Sequence, residues 1–314
     1  VRQTANAFSR HNLHDQALQA FERGQKMMKD GTSFAYEIAN LHELKGDVHA
    51  MMSAYMDLLA TNEGYVQAVQ NGLFGWPLKV TLGGPTGFDW KQNEWCGRTD
   101  LTPQPVPPEL DYDFWLGPAP KKPYHPHRVH GTFRGYWDYD GGGLGDMGQH
   151  YLDPVQYLLD KDNESPVRIE ADTDPQDPDA VQPWRRISIR YADGCEIIFD
   201  GENKDKEAAF IAGPEGKLFR DFESDIPNLR AKIQSLPDPE PQLTDFIQAV
   251  KTRQKFALNE VNGHRSCTLV NLAKIAVQTG RLLHFDPKKQ RFIHDHQANA
   301  LIHQPMRKPW KRRV

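Results

Sequence analysis

The sequence predicts an α+β protein: an open, mostly antiparallel sheet with helices on one face, joined to an N-terminal all-α segment. Three observations carry that prediction. Residues 1 to about 72 show helical periodicity and nothing else. From Val167 onward, short runs of alternating β-branched residues are separated by turn residues. Between these regions lies Asp140 to Asp153 (DGGGLGDMGQHYLD), where three consecutive glycines open an apolar-periodic helix.

The bounds from composition agree with a globular protein. A chain of 314 residues suggests about two domains. Net charge is −4, which predicts no whole-chain attraction to nucleic acid or to an anionic membrane. Cys96, Cys195 and Cys267 lie far apart and form neither a CxxC pair nor a disulfide framework. No apolar run approaches the 18 residues of a membrane span, and no signal peptide opens the chain as given. A soluble protein of unassigned compartment is expected.

Helices are expected at about 3–11, 14–28, 33–44, 47–59 and 62–72. The run LHDQALQAF (Leu13 to Phe21) is echoed by GDVHAMMSAY (Gly46 to Tyr55) at an offset of about 33–34 residues, with Gly46-Asp47 as a turn and cap. Helical hairpins at that period resemble tetratricopeptide repeats, here barely two of them. Such helices offer a groove for a protein partner. The plainer reading is a helical bundle.

Composition changes at Gly72 to Pro77, which sets expected domains at 1–71 and 72–314. Leu78, Val80 and Leu82 alternate with Lys79 and Thr81, a half-buried strand closed by Gly83-Gly84-Pro85. Prolines cluster from 102 to 126, predicting ordered coil. A helix at about 144–160 follows. VRIEAD, WRRISIRYAD, CEIIFDG and AAFIAG then read as strands. Ala192-Asp193-Gly194 marks a hairpin, and Gly213-Pro214-Glu215-Gly216 another turn. Helices return at about 226–234, 240–253 and 264–281, the last capped by Asn259 or Asn262. The tail from Asp286 reads as irregular and ends basic. An open sheet with one bare face also suggests self-association into a homo-oligomer.

The chemistry-bearing residues gather near the glycines. Asp146 and His150 are four residues apart, so a carboxylate and an imidazole share one helix face beside an open loop. That pair makes a candidate catalytic site, against the plainer reading of a capping Asp and a packed His. Tyr136 and Trp137 precede the glycines and offer aromatic faces for a sugar ring, or else core packing. Arg134 and Lys122 suit hydroxyl or acidic substituents. His125, His127 and His130 form HPHRVH; with Asp146 and His150 they compose a zinc- or manganese-type donor set. Alternate residues in a loop after proline point apart, however, so no metal is expected and His127 and His130 are read as pocket residues. Asp153, His264 and Arg265 read as structural.

Several blocks resemble the Gfo/Idh/MocA family, the glucose–fructose oxidoreductase and inositol dehydrogenase group. They are LKVT with GGPTG, DYDFWLGPAP, FRGYWDYDGGGLGDMGQHYLD, IAGPEGKLF, and NGHRSCTLVNLAKIA with TGRLLHFD. The likeness covers roughly residues 72–314 and is similar more narrowly to the substrate domain of the bacterial secreted-type branch. It implies an open-faced sheet that binds a sugar or polyol and often meets a partner subunit. Asp146 and His150 would then lie beside the substrate, His150 moving the hydroxyl proton and Asp146 orienting the ring. It also implies NAD or NADP as hydride acceptor. Yet no GxGxxG stands between a strand and a helix and no Glu-Lys-Pro supplies a catalytic lysine, so no cofactor-binding residue is assigned. The expectation is an oxidoreductase-type substrate domain, inactive by itself. The alternative is a non-catalytic interaction or scaffold protein with helical repeats on a sheet domain.

Overall fold

The computed structural model describes residues 2–28, 34, 37–38, 41–42, 45, 63–204, 207–219, 223–237 and 243–310. The chain divides into two compact units, 1–73 with 226–242, and 74–225 with 243–314.

In the first unit, α1 (Arg2–Arg10) and α2 (His14–Met28) form a hairpin. Its turn is closed by the Leu13 amide donating to the Phe8 carbonyl at 3.0 Å. Ala5, Ala17 and Phe21 pack with Ile38 and Leu41 into a small core. α3 (Glu63–Gln70) packs on α6 (Leu229–Gln234). The expected helix at 47–59 and the Gly46-Asp47 turn lie outside the described residues, as does most of the helix expected at 33–44.

The second unit holds one eight-stranded sheet. Its strands are β1 (Lys79–Leu82), β2 (Arg168–Thr173), β3 (Trp184–Arg190), β4 (Glu196–Asp200), β5 (Ile211–Gly213), β6 (Gly216–Leu218), β7 (Leu283–Asp286) and β8 (Arg291–Phe292). The order is β6-β5-β1-β4-β3-β2-β7-β8. Among the described strands only β1 and β4 pair in parallel; the other pairs are antiparallel. The mostly antiparallel open sheet of an α+β protein is therefore what forms. The turns at 192–194 and 213–216 join paired strands as the sequence predicts.

Period-two alternation sorts the strands into two faces. Ile169, Ala171, Ile187, Ile189, Ile197 and Phe199 sit opposite one another across β2, β3 and β4 and are buried. α8 (Glu260–Thr279) packs on β2 and β3, Trp90 stacks on Phe199 of β4 at 5.2 Å, and α5 (Gly142–Leu158) packs on α8. Each fully buried aliphatic side chain contributes roughly 1.5–3 kcal/mol of transfer free energy, so this layer is the main source of stability. The other face carries a charge ladder. Arg168 pairs with Glu170 at 3.2 Å, Arg185 with Asp172 at 2.7 Å, and Arg190 with Glu196 at 3.3 Å.

α8 begins earlier than expected, at Glu260, where the Asn259 side chain accepts from the Val261 and Asn262 amides. The short helix α7 (Phe246–Thr252) precedes it. Two segments expected as coil carry short elements instead. α4 (Tyr112–Leu116) interrupts the proline-rich stretch because Asp111 caps it through the Phe114 amide. β7, β8 and α9 (His296–Ala300) organise the tail, with Asp295 capping α9 through the Ala298 amide. Among the described residues, no helix is long and apolar enough to cross a membrane.

Candidate functional site

The site is built on the first two turns of α5. Gly141 has φ +99° and caps the helix in the left-handed region, which a side chain rarely adopts. At Gly143 an added Cβ would lie 1.5 Å from the Trp90 carbonyl oxygen, so that position admits glycine alone. α5 buries Leu144, Met147, Tyr151, Leu152 and Val155. Tyr151 stacks on Phe88 at 4.2 Å. That packing turns Asp146 and His150 outward, one helical turn apart.

Asp146 is tied to the preceding loop. Arg134 Nε donates to its Oδ1 at 2.6 Å, and the guanidinium lies 5.0 Å over the rings of both Trp95 and Phe133. Those aromatic faces hold the fork in place. His150 is exposed and hydrogen-bonds to no described residue. Partial burial of the ring lowers its pKa, against the opposing charge of Asp146, so the imidazole is neutral near pH 7. It is therefore a base ready to accept a proton.

Behind the pair lie two residues to which sequence reasoning assigned no role. Lys274, on α8, donates its ammonium to the Asp140 main-chain carbonyl. Burial lowers its pKa while Asp140 raises it. The Asp140 carboxyl is pushed up to about 6, first by burial and then by Asp146, with Lys274 and Arg134 opposing. Its Oδ2 is buried without a hydrogen-bond partner among the described residues. One signal for Lys274 was legible: it is the single cation in the run Leu269 to Val277, whose other residues are largely buried.

The other expected site residues are placed differently. Tyr136 and Trp137 are 0% and 6% exposed. The Tyr136 hydroxyl meets His127 Nδ1 at 2.8 Å, and Arg128 covers its ring at 4.6 Å. The Trp137 indole donates to the Asp177 carbonyl at 3.1 Å. Both rings are core, which corrects the expectation that they stack on a sugar. His127 is partly buried against Tyr136, and burial, with Arg98 and His125 nearby, lowers its pKa. His125 Nδ1 caps the following turn by accepting from the His127 amide at 3.0 Å. His130 is exposed at the start of a 3-10 segment, with φ +54°. Among the described residues no three His, Cys, Asp or Glu are grouped to hold a metal ion. Asp153 accepts from Ser266 Oγ at 2.7 Å and Arg265 donates to Ser165 at 2.8 Å, ties between packed elements.

Lys122 belongs to a separate cluster. It meets Asp179 at 2.7 Å and Asp138 at 3.1 Å, while the buried Arg128 also binds Asp179. Burial raises the Asp179 pKa, but the hydrogen bonds from Arg128 and Lys122 outweigh it and hold the carboxyl below the usual range.

No curated protein sequence matches the chain. Among solved structures it is similar to the WlbA dehydrogenase from Bordetella pertussis in complex with NADH and UDP-GlcNAcA. Identity there is 14%, over 80% of this chain and 74% of that one, with TM-score 0.40. It is also similar to the aldose–aldose oxidoreductase from Caulobacter crescentus complexed with glycerol, at 15% identity over 76% and 68% with TM-score 0.39. A levoglucosan dehydrogenase in complex with NADH and levoglucosan is 14% identical over 80% and 77%, with TM-score 0.36. The model of the oxidoreductase family's C-terminal alpha/beta domain, Gfo/Idh/MocA type, matches residues 60–312. That match spans most of the sequence, and the chain belongs to the Gfo/Idh/MocA oxidoreductase family.

Proposed function

We propose that this chain supplies the sugar- or polyol-binding part of a Gfo/Idh/MocA-type oxidoreductase, with the site at the start of α5. The observation that carries the reading is the Asp146–His150 pair on one helix face, fixed by Arg134 and backed by Asp140 and Lys274. In this reading His150, neutral near pH 7, accepts the proton of the reacting hydroxyl. Asp146, its Oδ1 held by Arg134, orients a neighbouring hydroxyl. Asp140 and Lys274 set the local charge without needing to touch the ring.

NAD or NADP is the family's redox partner, and we read neither glycine-rich turn among the described residues as its cradle. The glycine run at the start of α5 packs closely against the protein itself. A Cβ on Gly141 would lie 2.3 Å from Lys274 Cε, and one on Gly142 2.9 Å from Val181 Cγ1. We read those glycines as packing positions. After β1 the chain turns at Gly83 to Gly87 without entering a helix. We therefore assign the dinucleotide to no residue here, and expect the isolated chain to bind substrate without turning it over.

Calorimetric titration with myo-inositol and D-glucose tests the reading. Millimolar affinity, about −4 kcal/mol, is expected for one of them. Asp146→Asn should weaken it with the melting temperature unchanged; no binding by either polyol overturns the proposal. Saturable quenching of NADH fluorescence by this chain would overturn the assignment of the cofactor elsewhere. The reading extends to self-association through the charge-laddered β2–β3 part of the sheet face, and a monomer in light scattering removes that extension.

A further inference from the structure

A second feature of the 133–140 segment is not used above. A cavity of about 390 Å³ opens beside it, lined by Trp115, Phe133, Tyr139, Asp138, Gln304 and Met306, among others. That volume falls in the range of roughly 300–1,000 Å³ typical of small-molecule sites. Trp115 stands nearly perpendicular to Tyr139, 5.1 Å between centroids at 78°, and to Phe133, 6.5 Å at 76°. The three rings form an apolar corner. The tail makes the facing wall. It is pinned there by Arg307, whose guanidinium binds Asp113 at 2.9 Å and whose amide donates to the Pro118 carbonyl at 3.1 Å. Gln304 donates to the Trp137 carbonyl at 3.2 Å.

The lining chemistry narrows the occupant. Aromatic faces suit the C–H face of a pyranose ring, and Asp138 and Gln304 offer polar groups for its hydroxyl edge. Lys122 balances the Asp138 charge at 3.1 Å. A phosphate site needs uncompensated positive charge, and this cavity has none, because Lys122 beside it is paired with Asp138 and Asp179. Its position relates it to the Asp146 site. Phe133 precedes Arg134 and Tyr139 precedes Asp140, so two of its walls are the chain neighbours of two site residues.

We propose that this cavity is a second carbohydrate-ring subsite, so that the ligand class is a disaccharide or glycoside in preference to a free monosaccharide. The inference rests on the sugar-binding reading of the Asp146–His150 site. Calorimetry on the full chain with D-glucose, cellobiose, maltose and lactose tests it. One disaccharide should bind about tenfold more tightly than glucose. Trp115→Ala should abolish that gain and leave glucose affinity in place. Gln304→Ala, at an exposed position outside the core, should reduce the same gain if Trp115→Ala does not fold. Glucose binding as tightly as every disaccharide overturns the subsite and leaves the Asp146–His150 reading standing. So does a gain that survives both substitutions. Disaccharide binding lost in Trp115→Ala but unchanged in His150→Ala keeps the subsite and sinks the first reading instead. Binding of none of the four sugars overturns the subsite, and failure of myo-inositol as well overturns both.

Discussion

Asp179 and Asp140 are both partly buried aspartates beside a cation, and they end with opposite proton affinities. Asp179 receives hydrogen bonds on its carboxylate from Lys122 and Arg128, and is held more acidic than usual despite burial. Asp140 has Lys274 beside it, but the ammonium donates to the main-chain carbonyl, leaving Oδ2 unanswered with Asp146 adding negative charge. A nearby cation is therefore not enough; where its N–H bonds point decides. The answered cluster is a brace. The unanswered one has the perturbed, unsatisfied character expected of a working site.

Four measurements break or sharpen that contrast. The largest effect is expected from Asp179→Ala, which strands the buried Arg128 charge and should cost about 3–5 kcal/mol in urea denaturation. A loss under about 1 kcal/mol would show that the brace is not one. Next, His150→Ala and Asp146→Asn should weaken polyol affinity about tenfold while leaving stability within about 0.5 kcal/mol. A large stability loss would make the second cluster structural too.

The third measurement uses the sign of the two shifts. The raised Asp140 pKa contributes stability that is present below its ordinary value of 3.8 and lost as pH rises through about 6. The lowered Asp179 pKa contributes stability present above 3.8 and lost as pH falls. Asp140→Asn should therefore raise the melting temperature at pH 7 and flatten its fall between about pH 4 and pH 6. A variant that melts lower than the parent at pH 7 would mean that the carboxylate is answered after all. The smallest effect is expected for Arg185→Ala on the bare sheet face. Its pairs with Asp172 and Asp174 are solvent-exposed, so less than about 0.5 kcal/mol should be lost in the same denaturation assay. A larger loss would point to a covered face.

Local signals were the legible ones. Three glycines at the N-cap and first turn marked the start of α5, and four-residue spacing put Asp146 and His150 on one face. Alternation located β2 and β3 because each has a buried and a solvated side, whereas β4, buried at Ile197 to Asp200, was legible from its β-branched and aromatic run. The tail strand β8 was missed because it runs for only two residues, too short to show a period. Tyr136 and Trp137 were misjudged because aromatic residues near a glycine loop look alike whether they face a cleft or a core. Asp140 and Lys274 escaped for another reason. They lie 134 residues apart, and only the packing of α8 on α5 brings them together.

The placement of β1 has a further consequence, for how the chain reaches its native state. Its neighbours are β4, in parallel, and β5, so about 110 residues separate Leu82 from the start of its parallel partner. That is high contact order at the middle of the sheet, and it predicts slow, late closure. On a ribosome adding roughly 5–20 residues per second, Val80 and Leu82 would wait on the order of ten seconds for β4 to emerge. For that interval a strand destined for burial has no mate. The nascent chain is then most exposed to aggregation through β1, and a holdase chaperone acting between the emergence of β1 and that of β4 would improve yield more than one acting after release.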